Sequence, residues 1–162
     1  MNPTEYPTST IVVVAAITLL VAVAGGLLTE IGVWYRELKK PAWQPPDWLF
    51  APAWTIIFIL AAYAAIDSYT NAPAAARGAV IVVFAINAVL NVGWSLLFFK
   101  LRSPGLALFE VVLLWLSIIS IIVVIQPYSQ WGPIALIPYL MWVSFAAFLN
   151  YTIVQLNAPG KT

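Results

Sequence analysis

The sequence predicts an all-α membrane protein, a bundle of five transmembrane helices in which a Trp- and Pro-rich loop between helices 1 and 2 covers a pocket. Three observations support this fold class: a scarcity of charged residues, five long apolar segments, and one dense aromatic segment between the first two of them. No internal repeat divides the chain, so a single domain over residues 1–162 is expected.

The composition is that of a chain that exposes most of its surface to lipid. Of the 162 residues, 63% are hydrophobic and only 8% are charged, whereas a soluble domain carries about 25% charged residues. So few charges cannot cover a globule in water, which indicates a polytopic membrane protein. The net charge of +1, without a basic stripe, argues against nucleic acid as a partner.

The chain contains no cysteine and no histidine. Disulfide bonds, thiolate nucleophiles, the usual zinc sites and the commonest axial ligands of haem iron are therefore excluded by residue type. We expect no metal site and no required cofactor.

Five apolar segments reach the length of about 20 residues that a helix needs to cross a bilayer. Pro52 falls in the first turn of the second segment, where a missing N–H costs nothing, and Pro138 inside the fifth predicts a kink. The predicted helices cover about residues 10–29, 51–69, 77–99, 104–125 and 133–156.

The distribution of basic residues predicts the orientation of the bundle. One side carries six of them and the other side carries only Arg77. Because basic residues accumulate in cytoplasmic loops, we expect the N-terminus outside and the C-terminus in the cytoplasm. The lack of a convincing signal peptide favours an inner membrane, with an outer membrane as the alternative. The six residues are Arg36, Lys39, Lys40, Lys100, Arg102 and Lys161.

The segment over residues 34–54 separates the first two predicted helices. It holds four of the eight Trp, four of the twelve Pro and three of the seven basic residues. It is too aromatic for a solvated linker and too rich in proline for a helix. We interpret it as a lid on the membrane bundle, with Arg36, Lys39 and Lys40 at its rim.

Polar and aromatic residues in the third segment share one helix face. Asn87, Asn91, Trp94 and Phe98 recur at spacings of four, three and four. Because an unpaired amide in hydrocarbon is costly, both Asn side chains should face inward. A ligand pocket and hydrogen bonds between helices explain the two amides equally well.

Other segments add candidates near the same end of the bundle. Trp54 and Phe58 lie in the second segment close to the loop, and small Ala146 leaves room for a ligand or a close helix contact. Glu110 lies about two turns inside the fourth segment, where pairing with a neighbouring helix is favoured over catalysis. The stripe on the fifth segment consists of Tyr139, Trp142, Ala146, Leu149 and Asn150.

These residues form a recognisable pattern that covers essentially the whole chain. The loop carries Trp34-Tyr35-x-x-Leu38-x-Lys40-Pro41-x-Trp43-x-Pro45-Pro46-x-Trp48-x-Phe50-x-x-x-Trp54, followed later by Leu90-Asn91-x-x-Trp94-Ser95-x-Leu97-Phe98-Phe99 and Pro138-Tyr139-x-x-Trp142-x-x-Phe145-Ala146-x-x-Leu149-Asn150. The chain thereby resembles the translocator protein family, also called tryptophan-rich sensory proteins or peripheral benzodiazepine receptor homologues.

The resemblance implies a five-helix bundle, commonly a homodimer, whose first loop folds over a hydrophobic pocket. Family ligands are porphyrins such as protoporphyrin IX, isoquinoline carboxamides, benzodiazepines and, in animal members, sterols. Trp54 and Trp142 match a Trp pair implicated in light-dependent porphyrin breakdown by some bacterial members. Carried over by motif, the ligand-binding positions are Tyr35, Pro45, Trp54, Phe58, Asn87, Asn91, Trp94, Trp142 and Ala146.

The resemblance therefore implies a tetrapyrrole-binding sensor or regulator. Light- and oxygen-dependent porphyrin degradation that uses Trp54 and Trp142, transport of porphyrins or sterol-like lipids, and a scaffold acting through partners stay open as alternatives. No basic residue lies close enough after Leu149-Asn150-Tyr151 to complete the animal sterol motif, so tight sterol binding is not expected.

Overall fold

The computed structural model describes residues 6–158, and no strand occurs within them. Five helical stretches in this range are long and apolar enough to cross a membrane, and they confirm the predicted all-α class with five transmembrane helices. Lys161, one of the six basic residues counted for orientation, lies outside the described residues. The helices are α1 (Thr8–Leu28), α2 (Val33–Glu37), α3 (Phe50–Asn71), α4 (Ala74–Ser95), α5 (Pro104–Ile125), α6 (Gly132–Ala135) and α7 (Ile137–Leu156).

The third spanning helix differs from its prediction at both ends. It begins at Ala74, three residues earlier than expected, because Pro73 is tolerated just before a first turn and three alanines follow it. Regular α-helix ends at Ser95 and continues as one π-helical turn over Leu96–Lys100. Such turns are frequent at functional sites, and here the turn buries both Phe98 and Phe99.

The fifth spanning helix is interrupted where the sequence predicts a kink. A break at Leu136 separates α6 from α7, and Pro138 occupies the first turn of α7. Pro138 has no N–H to donate to the carbonyl of Ile134, so the series of helical hydrogen bonds is interrupted at Pro138. The distortion is thus a break before the proline rather than a bend within a continuous helix.

The Trp/Pro-rich loop contains two helical pieces that the proline argument did not predict. α2 lies before the first of its prolines, and a 3₁₀ turn over Asp47–Leu49 follows Pro46. Neither piece contains a proline, so the proline content of the loop does not prevent either from forming.

The helices pack unevenly. The largest buried cluster joins α3, α5 and α7, with Ile118, Ile121 and Ile125 fully buried along α5. No residue of α1 is buried, although α1 contacts α3 and α4. The loose seating of α1 leaves space between it and the rest of the bundle.

A polar cluster fixes the end of the bundle that lies away from the loop. The buried Asp67 carboxylate accepts hydrogen bonds from the Tyr6 hydroxyl at 2.8 Å, from Asn71 Nδ2 at 3.1 Å and from the Ser129 hydroxyl. Ser129 Oγ in turn accepts the Gly132 N–H at 2.7 Å. The bond to Asp67 raises the pKa of Tyr6 to about 12. One carboxylate therefore joins the N-terminal segment, α3 and the connection before α6.

Candidate ligand-binding cavity

A cavity of about 410 Å³ lies under the loop, and we call it the main cavity. This volume is within the range of small-molecule sites, about 300–1,000 Å³. Seven aromatic rings and several small or hydroxyl side chains form its wall. The lining residues are Ala22, Gly25, Gly26, Thr29, Ile31, Tyr35, Asp47, Phe50, Ala51, Trp54, Thr55, Phe58, Asn91, Trp94, Ser95, Phe98, Phe99, Ala146, Leu149, Asn150 and Ile153.

Six of the nine residues expected to bind ligand line the main cavity, and three do not. The six come from α2, α3, α4 and α7, which the fold brings together at one end of the bundle. Their contact with a ligand stays a prediction. The lining residues are Tyr35, Trp54, Phe58, Asn91, Trp94 and Ala146, and the others are Pro45, Asn87 and Trp142.

Asn87 does not line the cavity, since it lies about one helical turn before Asn91 on α4, and its amide is engaged between helices. Its Nδ2 donates to Ser117 Oγ at 2.8 Å, and its Oδ1 accepts the Tyr139 hydroxyl at 3.2 Å. Asn91 donates through Nδ2 to Tyr139 at 2.9 Å and also lines the cavity. Asn87 thus makes hydrogen bonds between helices and does not line the cavity. Asn91 makes such a bond and also lines the cavity.

Trp142 does not line the cavity and packs against an aromatic side chain that does. Its ring packs edge-on against Phe50 at 5.5 Å between centroids and tilts against Phe145 at 5.7 Å. Phe50 lines the cavity and Trp142 does not. Of the predicted Trp pair only Trp54 forms part of the wall, where its ring lies 5.5 Å from Phe58.

The Tyr35 hydroxyl is held inside the loop by two polar side chains. It donates to Asp47 Oδ1 at 3.1 Å and accepts from Gln44 Nε2 at 3.1 Å. Burial and the nearby Asp47 carboxylate raise the pKa of Tyr35 to about 12. Pro45 lies half-buried between these partners and contributes by shaping the loop. Asp47, which sequence reasoning missed, is the charged residue in the described wall of the cavity.

The three basic residues expected at the rim lie outside the cavity wall. Lys40 Nζ lies 3.5 Å from the centroid of the Tyr35 ring, a cation–π contact. Burial lowers the pKa of Lys40, Arg36 lowers it further, and Asp47 opposes both. The main chain of Lys39 is bonded to Asn157 at the end of α7.

The loop also packs on α7 through aromatic rings. The Trp43 ring stacks on Phe148, with centroids 5.3 Å apart and planes 18° apart, and meets Phe145 edge-on at 5.9 Å. Together with the contact between Lys39 and Asn157, this fastens the middle of the loop to the last helix.

The opposite wall is formed by α1 through small side chains. Gly25 and Gly26 line the cavity, and a Cβ on Gly25 would come 3.9 Å from Ser95 Oγ. Their position shows that they leave the space that the cavity occupies.

One hydrogen-bond donor in the wall has no partner among the described residues. Trp94 Nε1 is buried without an acceptor, while its ring stacks on Phe98 at 5.1 Å. An unsatisfied buried donor costs about 1–3 kcal/mol. A ligand that carries an acceptor oxygen or nitrogen could remove that penalty.

Glu110 does not have the partner that its depth in the membrane predicts. It faces inward as expected, but neither carboxyl oxygen has a hydrogen-bond partner within residues 6–158. Gly93 on α4 lies opposite, and a Cβ there would come 3.7 Å from Glu110 Oε1. The expectation failed because periodicity gives the direction of a side chain and not the residue that meets it.

Comparison with known proteins identifies the family of this chain. The chain matches the TspO/MBR family over residues 12–156. It is 40% identical over 151 residues to the tryptophan-rich protein TspO of Chlorobaculum tepidum, which covers 91% of this chain and 96% of that protein. It is 30% identical over 132 residues to the tryptophan-rich sensory protein of Cereibacter sphaeroides, covering 82% of each. It is 33% identical over 146 residues to the translocator protein of Sus scrofa, covering 85% and 86%. The chain is thus an integral, multi-pass membrane protein that belongs to the TspO/MBR family.

Proposed function

We propose that this member of a sensor and translocator family binds flat hydrophobic tetrapyrroles, such as protoporphyrin IX, in the main cavity. The observation that carries the proposal is an aromatic-walled cavity of about 410 Å³ beneath the loop. A macrocycle offers two broad π-faces, and aromatic rings favour offset or edge contacts with such faces. The same wall suits isoquinoline carboxamide and benzodiazepine ligands, whose carbonyl groups could accept from Trp94 Nε1.

The charged groups of the loop suggest how a porphyrin would be oriented. Asp47 lines the cavity, so the carboxylates of the ligand would avoid it. Arg36, Lys39 and Lys40 lie on the same loop outside the wall, and we expect the carboxylates to point toward them. The macrocycle would then occupy the apolar part between Trp54 and Trp94.

Titration of the intrinsic Trp fluorescence with protoporphyrin IX and with haem tests the proposal. Saturable quenching is expected with both, and the metal-free porphyrin should bind at least as tightly, because the chain has no His or Cys to ligate iron. Much tighter binding of haem would contradict a site that recognises the ring rather than the metal.

A substitution that fills the main cavity provides the matched test. Ala146→Phe should weaken binding at least about tenfold, or about 1.4 kcal/mol, because the new ring occupies ligand space. Ala85→Phe, on an exposed face of α4, is the control and should leave the affinity unchanged. Equal affinities in both variants, with helical content preserved, would place the ligand elsewhere.

A further inference from the structure

A second cavity of about 510 Å³ lies on the other side of the connection between α1 and α2. Its wall combines both signs of charge with apolar side chains, and it shares Tyr35 and Phe99 with the main cavity. It is formed by Glu30, Gly32, Val33, Trp34, Tyr35, Glu37, Phe99 and Arg102. Because α1 ends at Leu28 and the π-helical turn ends at Lys100, it lies where two spanning helices leave the apolar region.

Arg102 is the basic residue among those that line this cavity. Its guanidinium makes no hydrogen bond and no ion pair with the described part of the chain. The turn that carries it is fixed, because the Leu101 N–H donates to Leu96 O at 2.9 Å and the Ser103 N–H to Leu97 O at 3.0 Å. Arg102 itself has a φ of 49°, a left-handed conformation that is uncommon for a residue with a side chain.

The acidic residues of the cavity divide into one that is paired and one that is not. Glu30 Oε2 accepts from Lys100 Nζ at 3.0 Å, and this bond, with help from Arg102, lowers the pKa of Glu30. Glu37 has no hydrogen-bond or ion-pair partner in residues 6–158. Arg102 and Glu37 thus line the same cavity, and neither makes a hydrogen bond or an ion pair with the described residues.

Apolar surface continues from the cavity toward the membrane. Trp34 and Phe99 form part of its wall, and Val33 is 72% exposed beside them. Leu27 at the end of α1 is 76% exposed. Acyl chains attached to a group in the cavity could therefore run along α1, which has no buried residue.

We propose that the second cavity binds the headgroup of a phospholipid that carries a primary amine. Arg102 would bind the phosphate oxygens, and Glu37 would accept hydrogen bonds from the ammonium group. A glycerol headgroup would satisfy Arg102 and bring no cation to Glu37. A choline headgroup has the cation but no N–H to donate.

Competition between lipids of identical acyl chains tests this inference. The full-length protein in detergent is mixed with equal amounts of dioleoyl phosphatidylethanolamine, phosphatidylglycerol and phosphatidylcholine, and retained lipid is counted by native mass spectrometry. We expect phosphatidylethanolamine to be retained about tenfold over the other two, the value of one charge-assisted hydrogen bond. Millimolar soluble phosphoethanolamine should not displace it, because the acyl chains contribute to binding.

Three variants assign the effect to the cavity. Arg102→Gln should abolish retention, Glu37→Gln should reduce phosphatidylethanolamine to the level of phosphatidylcholine, and Arg77→Gln, at the far end of the bundle, should change nothing. Circular dichroism confirms that each variant is folded. Equal retention of the three lipids, preference for phosphatidylglycerol, displacement by the soluble headgroup, or unchanged selectivity in Glu37→Gln would overturn the inference. Porphyrin binding is measured in the same preparations. Whether porphyrin binds or not does not alter what the lipid competition shows.

Discussion

Asn157 and Lys39, 118 positions apart, bind each other through two hydrogen bonds. The Lys39 N–H donates to Asn157 Oδ1 at 3.0 Å, and Asn157 Nδ2 donates to the Lys39 carbonyl at 2.9 Å. A side-chain amide thereby pairs with the main chain of the loop as a neighbouring strand would. The loop is held to α7 at a point outside the main cavity.

Removing this pair should open the loop without altering the cavity wall. Asn157→Ala removes the two exposed hydrogen bonds to Lys39, worth about 1 kcal/mol together, so the dissociation rate of bound porphyrin should rise about fivefold. It also removes the bond from Asn157 Nδ2 to the Ile153 carbonyl, which lies within α7. Thr152→Val, which removes only a bond within α7, serves as the control. Stopped-flow dilution of the complex measures both dissociation rates. Identical rates would show that the hydrogen bonds between Asn157 and Lys39 do not limit porphyrin release.

The two Trp residues matched by motif should differ in their effect on porphyrin. Trp54→Phe alters the wall of the main cavity, whereas Trp142→Phe alters a ring behind Phe50. We expect the larger loss of affinity from the first variant, and the same order for any loss of bound porphyrin absorbance under illumination compared with darkness. A larger effect of Trp142 would require Phe50 to move away when ligand binds.

Tyr139 is expected to stabilise the bundle rather than to select ligand. Tyr139→Phe leaves Asn91 Nδ2 without its acceptor and Asn87 Oδ1 without its donor. Hydrogen bonds between membrane helices contribute about 0.6 kcal/mol on average and up to about 1.7 kcal/mol, so a loss of about 1–3 kcal/mol in the free energy of unfolding is expected. Denaturation in mixed micelles measures it, with Tyr151→Phe as an exposed control.

Gly132 should not tolerate a side chain. A Cβ there would clash with Ser129 Oγ and approach Ile125 Cδ1 to 3.1 Å, which would disturb the bond between Ser129 and Asp67. Gly132→Ala should lower stability by about 1–3 kcal/mol, as overpacking does. Gly105→Ala meets no atom within 4 Å and should be neutral or slightly stabilising. Thermal unfolding of both variants provides the comparison.

Alkaline pH should loosen the loop through Tyr35. Its pKa is raised from 10.0 to about 12, so folding favours the neutral phenol. The stability this adds is fully present below pH 10 and is lost as pH rises from about 10 to 12. Limited proteolysis of the loop across this range should show increasing cleavage. The increase should be smaller in Tyr35→Phe, which has no proton to lose.

The sequence predicts where the helices lie and which residues share a helix face. It predicts less securely which of those residues lie at the level of the main cavity. Asn87 and Asn91 share a face, yet they lie about 6 Å apart along the axis, and only the second reaches the main cavity. Ser117 and Tyr139, which engage Asn87, lie on other helices. Helix periodicity contains no information about such neighbours.

Tertiary contacts of the loop were the other source of error. Trp142 shares a stripe with Ala146, but it packs against Phe50 and does not line the cavity, and nothing in the local sequence indicates where the loop end will lie. Asp47 was missed because an acid beside Pro46 resembles an ordinary turn residue, and its bond to Tyr35 spans twelve positions. The Trp and Pro content predicted a packed segment, and the outcome is divided. Tyr35 is buried, whereas Trp48 is 71% exposed and Trp43 is 45% exposed.

The π-helical turn over Leu96–Lys100 has a consequence for how the family can diversify. Its hydrogen bonds span one residue more than those of an α-helical turn, and within it the consecutive rings of Phe98 and Phe99 both line the main cavity, with centroids 4.9 Å apart. Deletion of a single codon here would restore α-helical winding and rotate one ring away from the wall. The loss of one residue could thus change the shape of the cavity wall in a single evolutionary step. The sequences of the other spanning helices would stay unchanged.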